Sequence, residues 1–491
     1  MPTFLDLSNE LLYRIVKTVP RDDLPSLSLT NKLLHALSDK DCKRHLALKK
    51  YSTLSFGNYY TSGYVHHSPK TKLREDTKDG LLFLASIIKD SRISEYPQRI
   101  CVGSCADYEI RPSWLNVEYQ DKRQSIITEL SAQVKTAVEK CDFISEENKE
   151  QASIAILDPQ YEGLAVSLVV TMLPQLRSIV TQDWSYGAAS GRLCASIVKI
   201  AEANLDPKSP NHNKALSQLQ EFSMTHTEAE GGEPISRYAP YAMLPSMRIL
   251  SGTQIAGEGR FEWPPSFQPG SSNVTEIDIR CSAVDARAFE SLLSGISALR
   301  RFTYHHHGAN VGFAQYSAAG YVSSLRRHHT SSLQLLDISL EDINQLMEEE
   351  EELQGVGSLQ MFTSLEEVRL QHEAFQISGP DDGLNGEALE GGRFYSEEGE
   401  EEETTESMHR LVDFLPASIK SLTIINHTAT KEVQDLFRGT VEEVSEKLPV
   451  FKAVTFKGDD PLDDAMKEAL THAGLTLKRW TYDCGSSPID V

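Results

Sequence analysis

The sequence has no long apolar run. No stretch of about 18 consecutive apolar residues occurs among its 491 residues, and a membrane-spanning helix needs about that length. The N-terminus carries Asp6 and Glu10 where a signal peptide would have a basic region before an apolar one. We therefore predict no membrane partner and expect a protein of the cytoplasm or nucleus.

Cysteine is scarce, with seven residues scattered along the chain. An odd number without regular spacing does not predict a disulfide framework, so we expect reduced and mostly buried thiols. Cys101 and Cys105 are four apart, but no second pair of Cys or His residues follows at zinc-ribbon spacing. Of the adjacent His305, His306 and His307, only the first and third would share a strand face, which favours a solvated strand end. We predict no metal and no cofactor.

Basic charge is also limited. The chain has 48 Lys and Arg against 71 Asp and Glu, a net charge of −23. Residues 1–50 carry a net charge of +3, so the rest of the chain carries a net charge of −26. Such a field repels phosphate backbones, which disfavours reading the N-terminal helices as a DNA-binding helix-turn-helix. We predict no nucleic-acid partner.

Leucine, by contrast, is abundant at the N-terminus, where the pattern predicts three short amphipathic helices. Ser8 can cap the first helix, which ends before a proline near Val19. Asp22 and Asp23 can cap the second and complement its dipole, and Thr30 can cap the third. A unit of about 50 residues is marginal alone. Its leucines therefore either dock on another protein or cap the following domain.

The same segment resembles an F-box, in the version common at the N-terminus of fungal proteins, over about residues 4–48. The matching residues are Leu5, Leu7, Glu10, Leu11, Leu12, Ile15, Val19, Asp23, Leu24, Leu27, Leu29, Asn31, Leu34 and His35. The family usually has a proline where this chain has Ser8.

The resemblance implies a partner and a role. F-box proteins dock on a SKP-type adaptor, which connects them to a cullin-RING ubiquitin ligase, while the rest of the chain selects the substrate. We therefore expect adaptor contacts from one set of apolar residues. These are Leu5, Leu7, Leu11, Leu12, Ile15, Leu24, Leu27 and Leu34.

The rest of the chain repeats a phrase of the form apolar-x-x-apolar-x-apolar. The clearest copies are Val274/Ile277/Ile279, Leu299/Phe302/Tyr304, Leu333/Leu336/Ile338, Leu365/Val368/Leu370, Ile419/Leu422/Ile424, Phe451/Val454/Phe456 and Leu477/Trp480/Tyr482. Weaker copies lie at Pro97/Ile100/Val102, Leu176/Ile179, Leu219/Phe222/Met224 and Met247/Leu250. From residue 222 onward the middle residues are mostly 25 to 34 apart, with one gap of 54. That spacing fits one strand and one helix per unit.

The phrase is typical of leucine-rich repeats, and helical patterns precede several copies, at 286–296, 433–444 and 465–473. We therefore predict an α/β solenoid, an irregular leucine-rich-repeat horseshoe with parallel strands on its concave face. F-box plus degenerate leucine-rich repeat is a familiar combination in fungal proteins, which this chain resembles over nearly its full length. The usual Asn after the strand is missing from most copies, so we expect no regular asparagine ladder. A doubly wound α/β domain is the alternative.

If the apolar members of each phrase point inward, strand alternation places their neighbours on the opposite face. Those neighbours are mostly polar, which favours either a protein substrate or an ordinary solvated sheet face. The substrate-binding residues predicted on this face are Asp278, Arg280, Arg301, Thr303, His305, Asp337, Arg369, Thr423, Thr455 and Lys457.

The domain organisation follows from these patterns. We assign residues 1–50 to the F-box-like unit, 51–79 to a linker rich in Gly, Ser, Tyr and Lys, and 80–491 to the solenoid. An acidic insertion at about 376–407 should be disordered, because residues 377–406 hold 11 acidic side chains and little to bury.

Catalytic signatures are missing from the sequence. It contains no phosphate loop, no G-x-S-x-G elbow and no H-E-x-x-H helix. We predict no catalytic residue and a non-enzymatic protein, with two hypotheses for its role. One is the substrate receptor of an SCF-type ubiquitin ligase, and the other is a repeat scaffold whose F-box-like unit does not engage the adaptor.

Overall fold

The computed structural model describes most of the chain. The described residues are 7–19, 21–56, 79–103, 117–142, 144, 146–158, 162–182, 188–209, 215–226, 232–306, 316–340, 355–376, 410–425, 430–458, 461–480 and 489–490. They form two compact units. The first comprises Met1–Val180, Tyr186–Leu193 and Asn213–Leu219, and the second Thr181–Ser185, Cys194–His212 and Gln220–Val491.

The first unit begins with three helices, α1 (Asn9–Thr18), α2 (Leu24–Thr30) and α3 (Lys32–Lys49), with a 3-10 turn at Arg21–Asp23. Their apolar faces meet in a small core. It consists of Leu12, Val16, Leu24, Leu34 and Cys42, with Leu27, Leu33 and Leu37 packed against it. Three helices of these lengths confirm the predicted arrangement.

The helix caps agree with the sequence at the first helix and differ at the third. The Ser8 hydroxyl accepts a hydrogen bond from the Leu11 N–H at 3.4 Å, as predicted. At α3 the cap is Asn31, whose side-chain oxygen accepts from the Leu33 N–H at 2.7 Å. The predicted cap, Thr30, instead donates its hydroxyl to the Leu27 carbonyl at the end of α2.

Strands and helices alternate after α3. They are β1 (Thr53–Phe56), α4 (Gly80–Lys89), a 3-10 turn (Ser91–Glu95), β2 (Arg99–Val102), α5 (Val117–Glu139), α6 (Glu146–Ala155), α7 (Glu162–Thr171), β3 (Ser178–Gln182) and α8 (Ala188–Leu205). β1 pairs with β2 in parallel. The predicted linker at 51–79 is therefore wrong at its start, because Leu54 and Phe56 are fully buried in a strand. Residues 57–78 lie outside the described residues.

The second unit contains the main run of strands. They are β4 (Glu221–Thr225), β5 (Glu233–Pro234), β6 (Ile249–Thr253), β7 (Ile255–Gly257), β8 (Glu276–Val284), β9 (Arg301–His306), β10 (Leu335–Leu340), β11 (Glu367–Gln371), β12 (Ser421–Ile425), β13 (Ala453–Lys457), β14 (Thr476–Trp480) and β15 (Ile489–Asp490). Between them lie α9 (Tyr238–Ala242), α10 (Ala286–Ser294), α11 (Ala318–His328), α12 (Leu411–Phe414), α13 (Thr430–Phe437), α14 (Thr440–Lys447) and α15 (Asp464–His472).

The sheet order in this unit is β4-β6-β8-β9-β10-β11-β12-β13-β14-β15. Every neighbouring pair from β4 to β14 is parallel, and β15 alone runs antiparallel to its neighbour. This confirms the mostly parallel sheet predicted from the repeated phrase, with helices in its connections. The leucine-rich-repeat horseshoe remains a prediction.

The register places the middle residue of each phrase in one buried row. The row contains Phe222, Leu250, Ile277, Phe302, Leu336, Val368, Leu422, Val454 and Leu477. Only its last member differs from the prediction, which gave Trp480. Leu475 and Leu477 are buried at this strand, which follows Gly474 with its φ of +86°.

Two local irregularities matter for the surfaces described below. Cys281, with φ +47°, lies in a bulge that shifts the register between β8 and β9. Beyond it β8 pairs with β7, which in turn pairs with β5. The helix predicted at 433–444 is instead two helices, because Gly439 adopts φ +70° between α13 and α14.

Candidate protein-binding surfaces

Helix α1 divides its apolar residues between the core and the surface. Leu12 and Val16 are 0% and 2% exposed, while Leu11 is 46% exposed and Ile15 is partly exposed. Leu7, just before the helix, is also exposed. Apolar side chains on the outer face of a small helical unit are available to a partner.

The other predicted adaptor contacts fall into three classes. Leu24 and Leu34 are buried in the core with Leu12, so these three support the unit from inside rather than presenting a surface. Leu27 is partly buried against that core. Leu5 lies outside the described residues. The accessible members of the predicted set are therefore Leu7, Leu11 and Ile15, with part of Leu27.

The N-terminal helices are attached to the rest of the first unit by a contact that sequence reasoning missed. Arg21 forms an ion pair with Glu95, and its guanidinium lies 5.3 Å from the centre of the Tyr96 ring. The ring of His45, on α3, lies 5.7 Å from that of Tyr96. No local pattern could indicate this contact, because its two sides are more than 50 residues apart.

Two groups at this contact have shifted acidity. Burial lowers the pKa of His45 below its usual value, although the Asp22 carboxylate 3.8 Å away acts in the opposite direction. Burial also raises the pKa of the Tyr96 hydroxyl. Both side chains are thus held in their neutral forms where the helices meet the segment before β2.

Residues 4–46 match the family model of the F-box domain. This confirms the F-box predicted from the leucine pattern, while its fungal character stays a prediction, and the match covers α1, α2 and α3 as far as residue 46. No curated protein matches the chain significantly. Residues 4–46 are called the F-box segment below.

The backbone of the F-box segment accommodates the residue in which it departs from the family. Ser8 has φ −60° and ψ 150°. Proline fixes φ near −65°, so the proline usual in the family would fit here without strain. The serine therefore preserves the helix start and adds a side-chain cap.

The second candidate surface is the polar face of the sheet in the second unit. The register aligns six of the predicted substrate-binding residues in a single row across β8 to β13. They are Asp278, Thr303, Asp337, Arg369, Thr423 and Thr455. The row continues to Ser251 and Ser223 on one side and to Lys478 on the other.

The remaining predicted residues flank this row. Arg301 precedes it by two positions on β9, where His305 follows it by two, and Lys457 follows it on β13. Arg280 lies at the bulge of β8. The structure thus brings all ten predicted residues onto neighbouring strands of one sheet.

Ion pairs organise the face at its centre. Asp337 is 4% exposed, with its Oδ1 3.2 Å from His305 Nε2 and its Oδ2 accepting from Arg369 Nη1 at 3.3 Å. Burial alone would raise the pKa of Asp337, but the hydrogen bond and charge of His305, together with nearby arginines, lower it below its ordinary value. Asp337 is therefore an ionised carboxylate beneath the surface.

The two ends of the face differ from the centre. Arg280 forms a two-pronged pair with Asp278, at 2.7 and 3.2 Å, while Arg301 lies 3.7 Å from Glu276. On β12 and β13 the row carries the hydroxyls of Thr423 and Thr455, both partly exposed. The face therefore offers charged groups on β8 to β11, while the row itself is neutral on β12 and β13, with Lys457 beside it and Lys478 beyond it.

Buried polar side chains in β8 and β11 bond backbone groups of neighbouring segments. The Ser282 hydroxyl accepts from the Ile255 N–H at 2.9 Å and donates to the Arg280 carbonyl at 2.6 Å. Gln371 bonds both backbone groups of Leu340, at 3.2 and 3.1 Å. Sequence reasoning missed these residues, although a polar side chain at the end of each phrase was the available signal.

The described part of the chain contains neither a metal-binding cluster nor a membrane-spanning helix. No group of three His, Cys, Asp or Glu side chains there could hold a metal ion. Within the same residues, no helix combines the length and apolarity needed to cross a bilayer.

Proposed function

We propose that this protein is the substrate receptor of an SCF-type ubiquitin ligase. The F-box segment binds a SKP-type adaptor and through it the cullin, and the polar face of the second unit binds a protein substrate. The observation that carries the proposal is the F-box match over residues 4–46, with Leu7 exposed just before α1 and Leu11 exposed on it. In this role the chain is a non-catalytic subunit of the cytoplasm or nucleus.

In this role the chain brings the substrate close to the enzyme and takes no part in the chemical step. A substrate held on the receptor is brought close to a charged conjugating enzyme, and that local concentration accelerates the transfer of ubiquitin. The contact of Arg21 with Glu95 and Tyr96 supports this role, because it fixes the F-box segment to the segment before β2 in its own unit. Degenerate leucine-rich repeats remain the expected architecture of the substrate-binding part.

The test separates adaptor binding from folding. Changing Leu11 and Ile15 to Glu places two carboxylates on the exposed face of α1, where a bound adaptor would bury them unpaired at a cost of several kcal/mol. We expect this variant to lose adaptor in a pull-down while its circular dichroism stays unchanged. A matched control is Met361→Glu, an equally polar change at an exposed apolar residue of the second unit. Wild-type adaptor binding by the double variant would contradict the proposal.

The second candidate function is a repeat scaffold without ligase association, and Ser8 is the feature that favours it. Because Ser8 already has the backbone angles of a proline, Ser8→Pro should fold normally. If the wild-type protein binds the adaptor as tightly as the Ser8→Pro variant does, the receptor function is supported. If only the Ser8→Pro variant binds the adaptor, the scaffold function is supported.

A further inference from the structure

The chain passes from α3 into β1 through only three residues, 50–52. The Ser52 carbonyl accepts hydrogen bonds from the Gln98 and Arg99 N–H groups, at 2.8 and 3.1 Å, and these bonds hold the connection against the start of β2. A few residues at the ends of elements can serve as a hinge when the other contacts across them open. Residues 50–52 are therefore the point about which the F-box helices can turn.

The contact that opposes such a turn is made by side chains, and it includes a buried histidine. His45 is 4% exposed, and its ring lies 5.7 Å from the ring of Tyr96. Arg21 pairs with Glu95 and lies over the same Tyr96 ring. Within the described part of the chain, neither ring nitrogen of His45 has a hydrogen-bond partner. A proton added to this ring would thus place a charge in a buried site without a hydrogen bond to satisfy it.

The charged groups on the same side of the contact give a protonated His45 little support. Burial is the main reason that the pKa of His45 is lowered, and the positive charges of Lys49 and Arg21 lower it further. Asp22 acts in the opposite direction, but its Oδ1 lies 3.8 Å from His45 Nε2 and 3.7 Å from Lys49 Nζ. The Asp22 side chain is also 67% exposed, so solvent and Lys49 share its charge.

The groups on the other side of the contact are neutral or already paired. Burial raises the pKa of the Tyr96 hydroxyl, which therefore stays protonated, and the Glu95 carboxylate is engaged by Arg21. Two further ion pairs lie around this ring, Arg44 with Asp41 and Arg92 with Asp90. The segment before β2 thus faces His45 with a phenol and with a carboxylate that has a partner.

We propose that the contact of Arg21 and His45 with Glu95 and Tyr96, here called the latch, opens when His45 takes up a proton, and that the F-box helices then turn about residues 50–52. A histidine that is harder to protonate in the closed form than in the open form shifts the balance towards the open form as the pH falls below about 6.5. Relative to pH 7.5, the shift at pH 5.5 is at most about tenfold, because an accessible histidine is then about nine-tenths protonated. The latch responds in this way whether or not the F-box segment binds an adaptor.

Hydroxyl-radical labelling of tyrosine rings, read by mass spectrometry, measures the opening in the full chain without adaptor. Tyr96 reports on the latch, because His45 and Arg21 lie against its ring in the closed form. Tyr13, which is 43% exposed on α1, is the internal reference. His45→Phe keeps an aromatic ring that cannot be charged, and His45→Lys introduces a cation at pH 7.5. His329→Gln, a change at a buried histidine of the second unit, is the matched control.

In the wild type and in His329→Gln, we expect the labelling of Tyr96 relative to Tyr13 to rise at least twofold from pH 7.5 to pH 5.5. The ratio should stay low at both pH values in His45→Phe and should already be high at pH 7.5 in His45→Lys. If His45→Phe packs poorly, His45→Gln removes the same titration and should likewise show no dependence on pH.

Three results would overturn the proposal. The first is an unchanged Tyr96 ratio in the wild type, since protonation would then leave the latch closed. The second is an equal rise in His45→Phe or His45→Gln, since another group would then cause the opening. The third is a simultaneous loss of hydrogen-exchange protection in β8 to β11, since the chain would then unfold as a whole instead of opening at the latch.

Discussion

The two candidate surfaces use apolar residues in different ways. In the F-box segment, neighbouring leucines have opposite environments, since Leu12 is buried while Leu11 is exposed. In the sheet of the second unit, each apolar row lies inside and the row beside it is polar. A helix distributes side chains around its whole circumference, whereas a strand separates them into two faces. Binding surfaces can therefore be read directly from strand patterns, but from helices only when the core is known.

The largest expected effect tests this division within α1. Leu12→Asp buries an unpaired charge in a core of five residues, so we expect the F-box segment to unfold, a loss of more than about 4 kcal/mol. Leu11→Asp should change the free energy of unfolding by less than about 0.5 kcal/mol. Hydrogen exchange of residues 9–49 measures both. Similar protection in the two variants would remove the distinction between inner and outer leucines.

The next effect compares a buried histidine from each region under acid. Burial lowers the pKa of His329 to about 4 and also lowers that of His45. Both are neutral when folded but take up a proton near pH 6.5 when unfolded, so stability falls as the pH drops below about 6.5, and for His329 this fall continues to about pH 4. The second unit loses free energy of unfolding between pH 7 and pH 4, and His329→Gln should make this loss smaller by about 3 kcal/mol. Urea titrations of the wild type and the variant at both pH values measure the loss. An equal loss in the two proteins would refute the assignment.

A smaller effect compares the charged centre of the polar face with the neutral part of the row on β12 and β13. Asp337→Asn leaves His305 and Arg369 without their shared carboxylate, and we expect a loss of about 2 kcal/mol at pH 7. Thr423→Val, in the same row, should cost less than about 0.5 kcal/mol. Chemical unfolding of the two variants checks this contrast. Equal losses would mean that the ion pairs do not stabilise the centre of the face.

The smallest effect concerns the cap of α3. Asn31→Ala removes the side-chain acceptor of the Leu33 N–H and should cost about 1 kcal/mol. Thr30→Ala serves as the control, since its hydroxyl bonds only within the last turn of α2. Thermal unfolding of the F-box segment in the full chain should therefore shift for the first variant only. A larger shift in melting temperature for Thr30→Ala would show that Thr30 caps α3, as predicted from the sequence.

The features predicted correctly from the sequence depend on local periodicity. Helix α1, the buried row from Phe222 to Val454 and the polar row beside it all follow from spacings of two to four residues. At the last strand the phrase pointed to Trp480 as the middle residue, whereas the register pairs Leu477 with Val454, so local periodicity alone gave the wrong residue there.

The features that were missed depend on conformation or on distant contacts. The break at Gly439 requires a positive φ, which the helical pattern around it conceals. The strand at Thr53–Phe56 is too short to show alternation and is recognised only through its pairing with β2. Likewise, the Arg21 contact with Glu95 and Tyr96 joins segments that only the fold brings together. For the same reason, the leucines of the F-box segment that face inward could be told from those that face outward only once the core was known.

The reversed strand β15 has a consequence for how the molecule behaves at high concentration. A parallel sheet ending in an open edge offers unpaired N–H and C=O groups to the first strand of another copy, and repetition of that step would produce a fibre. Here Ile489 and Asp490 lie opposite Arg479 and Lys478 and run against the direction of the stack. Within the described residues, the sheet of this unit therefore ends in a short strand of opposite direction, and short edge strands are one of the ways in which proteins avoid edge-to-edge pairing.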